Sequence, residues 1–410
     1  MTKFDAPAVV IGAGPAGLAA AHALVRGGAG AVLVIDRDDA AGGLPRFCRH
    51  PGFGWEYTRR LQSGPGFALR MIGALDPSTV TVATRTSALA LRSGPEIEIL
   101  GPETGHRMLR PRAVVLATGI RERPRSARLV PGRRPERGVL TTGQLQQMVA
   151  RGVAVGGRRA VVVGTEHVAF SVLLTARHAG LEVVAMVGAE DRILSYPAAG
   201  WIARALGIPI HLASHIEDIE GTARVEAVSV HGPAGLRRIE CDTLVFTGDF
   251  VPDAALLSTD DIDPDTGGPL VDQHGRTNLP GVFAAGNVLR AVESSGWAAV
   301  EGARVGANAA AFLRRPTAWR GAATRIVAGA GVGYIVPQFR SPDEAVAPLP
   351  VSLRADADAA HGRLRLAEGG IERWSRTRGT VLRMRRIAMD PAAFGALKGD
   401  HGQRATIEID

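Results

Sequence analysis

Short apolar runs that pass into glycine turns, and then into alanine- and leucine-rich stretches, set the rhythm of most of the chain. Val9-Val10-Ile11 has no polar position, as a strand buried on both faces requires, and Ala16–Arg26 behind it reads as a helix. Ala31–Ile35 is the next strand. Residues 79–100 alternate loosely between β-branched and polar positions and predict a small antiparallel piece, and Ala113–Ala117 is a further apolar strand. The order repeats once: a strand at Ala160–Val163, a helix through Ala169–Ala179 and a strand at Val183–Val187. Ile208–Leu212, Val225–His231 and Thr243–Thr247 are further strand candidates. Val282–Ala285 is a short strand, and Trp297–Leu313 reads as a helix. Strands of parallel type alternating with helices predict an α/β protein.

The character changes after Pro316. From about Pro348 the short strands Val351–Leu353, Arg363–Leu366, Val381–Met384 and Thr406–Ile409 are divided by turn residues, which predicts a small β-rich domain without a catalytic motif. The Pro- and Arg-rich stretch Arg121–Arg137 reads as a connection between domains.

Composition changes this picture little. The 410 residues are 46% hydrophobic and 21% charged, so cores can form without staples. The two cysteines, Cys48 and Cys241, imply no disulfide framework and point to a reducing, cytoplasmic compartment. Two thiols also fall short of the four that an iron–sulfur cluster usually takes. The net charge of +8 raises nucleic acid as a partner, but the basic residues are nearly all Arg, and the Arg107–Arg137 stretch has no aromatics to stack bases. We therefore expect no nucleic-acid binding; an anionic cofactor or an acidic protein partner accounts for the charge equally well. The N-terminal run does not read as a signal peptide, and no stretch approaches the ~20 apolar residues of a membrane span.

The chemistry starts at Gly12-Ala13-Gly14-Pro15-Ala16-Gly17, a GxGxxG between a strand and a helix. Gly12 permits a tight turn, Gly14 lets backbone approach a pyrophosphate, and Gly17 lets helix and strand pack closely. The helix N-terminus faces the phosphate charge. Asp36 ends the second strand at the spacing of a ribose-binding acid. The second turn, Gly164-Thr165-Glu166-His167-Val168-Ala169, places Glu166 where a second glycine should admit phosphate. Its following strand ends without an obvious ribose-binding acid; Glu190 and Arg192 are the nearest candidates. Weak or altered nucleotide binding there stands at least level with an NAD(P)H site. His167 opens the second helix and is assigned a capping role.

Gly42-Gly43, Ala117-Thr118-Gly119 and Pro280–Asn287 follow the first turn in order. Over residues 8–315 this set resembles the two-dinucleotide-binding flavoproteins, the pyridine nucleotide-disulfide oxidoreductases. The resemblance implies FAD held by Gly12, Gly14, Pro15, Ala16, Gly17, Asp36, Arg37, Gly43, Leu44, Ala117, Thr118, Gly119, Gly286 and Asn287. Asn287 stands where most of the superfamily has Asp; its carbonyl oxygen can still accept from a ribityl hydroxyl. The implied fold is a discontinuous FAD-binding Rossmann-like domain (1–120 and 242–320) with an inserted NAD(P)-binding-like Rossmann domain (121–241) and a C-terminal β-rich domain (321–410). Disulfide reductases of that superfamily carry a thiol pair after the Gly-Gly or in the inserted domain. Here the stretch Gly42–His50 holds Cys48 alone, so disulfide reduction is excluded on stoichiometry. Cys48 lies between Arg46 and Arg49, where a lowered pKa and a lone redox thiol are conceivable, but an inert neighbour of the flavin is the preferred reading.

The strings 42–54, Arg121–Arg125, Thr141–Gln146 and Val245–Asp249 narrow the likeness to the FAD-binding α-type subunits of hydrogen cyanide synthase, opine oxidase and dye-linked L-proline dehydrogenase. That resemblance implies an electron-transfer role beside a second flavoprotein that oxidises the substrate, with a small [2Fe–2S] protein as a further partner. Two alternatives stay open, a stand-alone NAD(P)H-dependent flavin reductase or oxidase and a scaffold subunit that keeps FAD without turnover. No catalytic acid or base and no metal ligand is assigned.

Overall fold

The computed structural model describes residues 4–317, 323–343, 345–383, 385–389, 391–397 and 404–410. The strand Ala8–Ile11 lies at the centre of a five-stranded sheet in the order 282–284, 113–116, 8–11, 32–35, 80–83. Every pairing is parallel, with Val9 beside both Leu33 and Val114. Residues 8–11 are buried throughout, which is why the run carries no polar position. The stretch 79–100 is therefore not one antiparallel piece. Val80–Ala83 is a parallel edge strand on Val32–Ile35, and the antiparallel meander starts only at Ser87, over Ser87–Arg92, Glu96–Gly101 and Gly105–Leu109.

The helices Pro15–Arg26 and Ser295–Arg314 pack against each other, although residues 27–294 separate them in the chain. Small residues make that possible. A Cβ at Gly302 would fall 2.8 Å from Ala16 Cα, and one at Gly306 2.8 Å from Ala20 Cα. Close backbone approach thus brings the end of the nucleotide-binding unit onto its beginning.

A second parallel sheet runs in the order 139–141, 243–246, 159–163, 182–187, 210–211. The chain enters and leaves it through an antiparallel ribbon of Ile120–Glu122 and Phe250–Pro252. This corrects the expected return at residue 242. The apolar strand Thr243–Phe246 is buried between two strands of the inserted sheet, so the crossing falls at the ribbon. The helix Thr142–Ala150 opens with a reciprocal cap between Thr141 and Gln144. Of the expected strand Ile208–Leu212 only Ile210–His211 pairs, and Val225–His231 shifts to Ala227–Gly232.

The C-terminal domain holds a five-stranded sheet and a three-stranded sheet around Ile326, Leu353, Leu364, Leu366 and Ile407. The expected strand Val381–Met384 is not one: Val381 makes an isolated bridge to Ala359, and Met384 lies outside the described residues. This domain docks on the inserted one through Arg383–Glu190 and Arg192–Asp358 ion pairs. It meets the FAD-type domain where Arg354 and Arg386 approach Glu293. No described helix is long and apolar enough to cross a membrane.

Candidate functional site

The first glycine turn has the geometry its residues require. Gly12 sits at φ +108°, donates its N–H to Ile35 O at 2.8 Å, and leaves no room for a Cβ beside the Ala117 carbonyl. Gly17 presses on the Gly12 carbonyl, which is the close helix–strand contact expected of it. Gly14 is different. A Cβ there would meet nothing nearer than Gly43 Cα at 3.9 Å, so the face above it is open. Gly14 also ends the helix Pro15–Arg26 without a side-chain cap, leaving the positive helix terminus for an anion.

Three distant segments close around that turn. Gly42 donates to Ala13 O at 2.8 Å, and a Cβ on Gly43 would fall 2.8 Å from Gly14 Cα. Gly286, at φ +79°, lies so close to the first helix that its Cβ would stand 2.6 Å from Ala16 Cβ. Ala117 donates to Ile11 O at 2.8 Å and carries the strand end to Thr118 and Gly119, where Thr118 Oγ1 donates to Asp253 O at 2.6 Å. Leu44 opens the short 3-10 turn behind Gly43.

The polar residues of the set are partly engaged within the protein. The Asp36 carboxylate accepts the N–H groups of Ala13 at 2.6 Å and Asp38 at 2.8 Å, so it fixes the glycine turn. Arg37 turns to Asp253, at 3.2 Å. Asn287 Oδ1 accepts from Glu293 N at 2.8 Å and its Nδ2 donates to Glu293 O at 3.1 Å, bracing the 287–293 loop. Sequence reasoning missed two residues here. The Asp253 carboxylate pairs with Arg37 and Arg121, its carbonyl accepts from Thr118 Oγ1, and its N–H donates to Gly119 O at 2.9 Å. Glu56 lies over Gly296 at the start of Ser295–Arg314 and accepts from Ser294 Oγ at 2.8 Å. Nothing in the local sequence of either residue marks it.

The second turn copies the backbone of the first. Gly164, at φ +138°, donates to Val187 O at 2.7 Å. Its approach volume is filled, however. Glu166 folds back so that a Cβ on Gly164 would fall 2.6 Å from its Oε2, and one on Gly248 3.0 Å from its Cδ. Burial pushes the Glu166 carboxyl up, and its Oε1 is buried without a hydrogen-bond partner. Arg128 clamps the facing loop by donating to Thr247 O and Gly248 O, each at 2.8 Å. His167 does not cap the helix. Its Nδ1 lies 3.2 Å from Ser195 Oγ, and its ring meets Tyr196 edge-on at 5.3 Å.

The family model for pyridine nucleotide-disulphide oxidoreductases matches residues 6–310. The chain belongs to that family. It is 28% identical over 256 residues to sarcosine oxidase subunit alpha of Rhizobium meliloti (strain 1021), covering 60% of this chain and 24% of that protein. It is 29% identical over 183 residues to the ferredoxin reductase component of chlorobenzene dioxygenase from Cupriavidus sp. (strain PS12), covering 43% of this chain and 42% of that protein. The chain thus spans less than half the length of either curated relative. Among solved structures, T. acidophilum thioredoxin reductase superposes with a TM-score of 0.62 at 19% identity, over 75% of this chain and 98% of that one. L-proline dehydrogenase from P. horikoshii gives 0.52 at 19%, over 73% and 54%. Both likenesses establish the fold.

Members of this oxidoreductase family are FAD-dependent, and FAD is the cofactor of this chain. The residues present fit it. The uncapped helix behind the open face of Gly14, with Gly43 and Gly286 pressed against it, forms a cradle for a diphosphate. Any side chain at Gly286 would collide with Ala16 and part the two halves of that cradle.

Cys48 is no reactive thiol. Burial, with Glu122 nearby adding to it, pushes its pKa up to about 12, and Sγ donates to Gln146 Oε1 at 3.4 Å. Arg46 is spent on Asp38 at 2.8 Å and Asp39 at 3.3 Å. Cys241 is likewise buried and raised to about 12, with burial the main cause. With its pKa so far up, the Cys48 thiolate fraction at pH 8 is on the order of 10⁻⁴. By thiolate fraction, alkylation by iodoacetamide should therefore lag a free cysteine on the order of a thousandfold and keep accelerating with pH beyond 9. A rate that levels off near pH 8 would contradict this assignment.

Proposed function

We propose that this chain is the electron-transfer subunit of a heteromeric amine or amino-acid dehydrogenase of opine or proline type. A second flavoprotein oxidises the substrate, and this subunit passes the electrons on. The observation that carries the reading is the contrast between the two glycine turns. Gly14 leaves the first open, whereas Glu166 fills the second. A flavin site with neither an open nicotinamide cradle nor a thiol pair behind it is suited to exchanging electrons with another protein.

Bound FAD supplies the redox chemistry; the chain binds and orients it. Gly12, Gly14, Gly17, Gly43 and Gly286 form the diphosphate cradle, and Asp36 holds the turn and the ribose end. Any iron–sulfur centre in the relay belongs to another polypeptide, since Cys48 and Cys241 are the chain's only thiols. Sarcosine oxidase subunit alpha is by its name one part of a larger enzyme, and this likeness supports a subunit role. The likeness to a ferredoxin reductase component favours an NAD(P)H-driven alternative, which the carboxylate in the second turn opposes.

Anaerobic mixing decides between them. The holoprotein should keep its flavin absorbance with NADH or NADPH in excess, and lose it when its partner flavoprotein and an amine substrate are added. Bleaching within seconds by either nucleotide alone would defeat the relay.

A further inference from the structure

Both ends of the second nucleotide cradle are occupied by the protein itself. The two turns correspond residue by residue: Gly12 to Gly164, Gly14 to Glu166 and Gly17 to Ala169. Their backbones agree as well, in the positive φ of the first glycine and its bond to the neighbouring strand end. The last position keeps a small residue, Ala169 for Gly17, whereas at the middle position a carboxylate takes the volume that a phosphate oxygen would need.

The ribose end is closed by different residues. Asp36 follows the strand Val32–Ile35, and its counterpart after Glu182–Val187 is Gly188. No side chain fits at Gly188, because a Cβ would stand 2.7 Å from Thr165 Cγ2. The next two polar candidates, Glu190 and Arg192, are both claimed by the C-terminal domain, through Arg383 and Asp358. Between and beyond them the loop folds onto the turn: Leu194 N donates to Thr165 Oγ1 at 3.4 Å and Ser195 N to Thr165 O at 3.0 Å. Arg385 then stacks on Tyr196 at 4.8 Å.

We infer that the C-terminal β-domain is a built-in lid over a latent adenine-dinucleotide site, whose diphosphate position is held by Glu166 and whose ribose end is held by the lid. The inserted domain keeps the nucleotide-binding backbone and uses it as the seat for that lid. Both ion pairs are about one-third exposed, at 36% and 32% for Arg192–Asp358 and 32% and 37% for Arg383–Glu190. Exposed pairs of this kind hold weakly and are screened by salt, so the lid is one that substitution can lift.

The inference deepens the proposed function but is tested apart from it. Titration calorimetry of the full-length holoprotein with NADH and with ADP reads binding, whatever the source of the electrons. Wild type should give no heat of binding. The variant Glu166→Gly/Asp358→Ala/Arg383→Ala should bind both with a Kd near or below about 0.1 mM. Wild-type binding at that strength would overturn the inference, as would a triple variant that keeps its flavin band and binds neither nucleotide. Should the variant not fold, wild type still supplies a test by hydrogen exchange. Raising the salt to about 1 M should speed exchange in residues 188–196 and leave 159–163 protected. An unchanged 188–196 segment would overturn the lid. A wild type that binds no nucleotide and also takes no electrons from a partner would sink the proposed function alone.

Discussion

Gly14→Glu should empty the flavin cradle while leaving the fold standing. The substitution installs in the first turn the residue that occupies the second. Gly14 has a negative φ of −78°, and a Cβ there meets nothing nearer than Gly43 Cα at 3.9 Å, so the substitution strains no backbone. A carboxylate about 4 Å from the diphosphate costs about 4 kcal/mol at an effective dielectric near 20, or on the order of a thousandfold in affinity. Purified Gly14→Glu protein should be nearly colourless, with a far-ultraviolet circular dichroism spectrum like that of wild type. Gly14→Ala, which adds volume without charge, should retain flavin in good part. A yellow Gly14→Glu protein at wild-type flavin content would remove the first turn from the site.

The contrast behind that experiment was legible in sequence because both turns obey strict local rules. Apolar runs such as Val9–Ile11 and Ala160–Val163 have no polar position, and the glycine spacing leaves few alternative folds for the turn that follows. Less legible were contacts made across the chain. Gly286 against Ala16 could be expected from motif order, but the engagement of Asn287 with Glu293 and of Arg37 with Asp253 depends on tertiary neighbours that no spacing encodes. The strand Thr243–Phe246 is evident from sequence as a strand, but it belongs to the inserted sheet rather than to the FAD-type domain. Its apolar residues suit either core, and only its pairing with Val139–Thr141 and Arg159–Val163 settles which.

The arginine-rich connection shows the same limit from the other side. Arg125 and Arg128 look like surplus surface charge in sequence. In the structure Arg125 donates to the carbonyls of Val130, Pro131 and Gly132, and Arg128 to those of Arg123, Thr247 and Gly248. A planar guanidinium with five donors can satisfy the backbone of an irregular loop in this way, and charge counting cannot reveal it. The lone thiol follows a related rule, and its preferred reading as an inert neighbour of the flavin rests on burial rather than on the nearby charges. Arg46 and Arg49 flank Cys48 in sequence, yet burial decides its chemistry.

Glu301→Ala should be the most destabilising single substitution in the helix that carries the late half of the cradle. Arg290 is completely buried and forms a two-pronged ion pair with Glu301, whose Oε2 accepts from Nη1 at 2.8 Å. Burial opposes the charge of Arg290, and the Glu301 carboxylate more than reverses that, holding the guanidinium protonated. Arg354 and Arg386 stand beside the same carboxylates, with Arg386 Nη1 3.8 Å from Glu301 and 3.9 Å from Glu293. Removing Glu301 leaves the buried Arg290 and the half-buried Arg354 and Arg386 sharing the Glu293 carboxylate. Stranding a buried charge in this way costs about 3–5 kcal/mol. The loss should appear as a lower urea midpoint for the flavin-free protein. Replacing both partners by apolar residues, as in Arg290→Met/Glu301→Leu, removes the desolvation cost together with the attraction and should recover much of the loss. If Glu301→Ala unfolds at the wild-type midpoint, the pair does not anchor the helix. If the double variant falls as far as the single one, Arg386 rather than Arg290 is the charge that Glu301 neutralises.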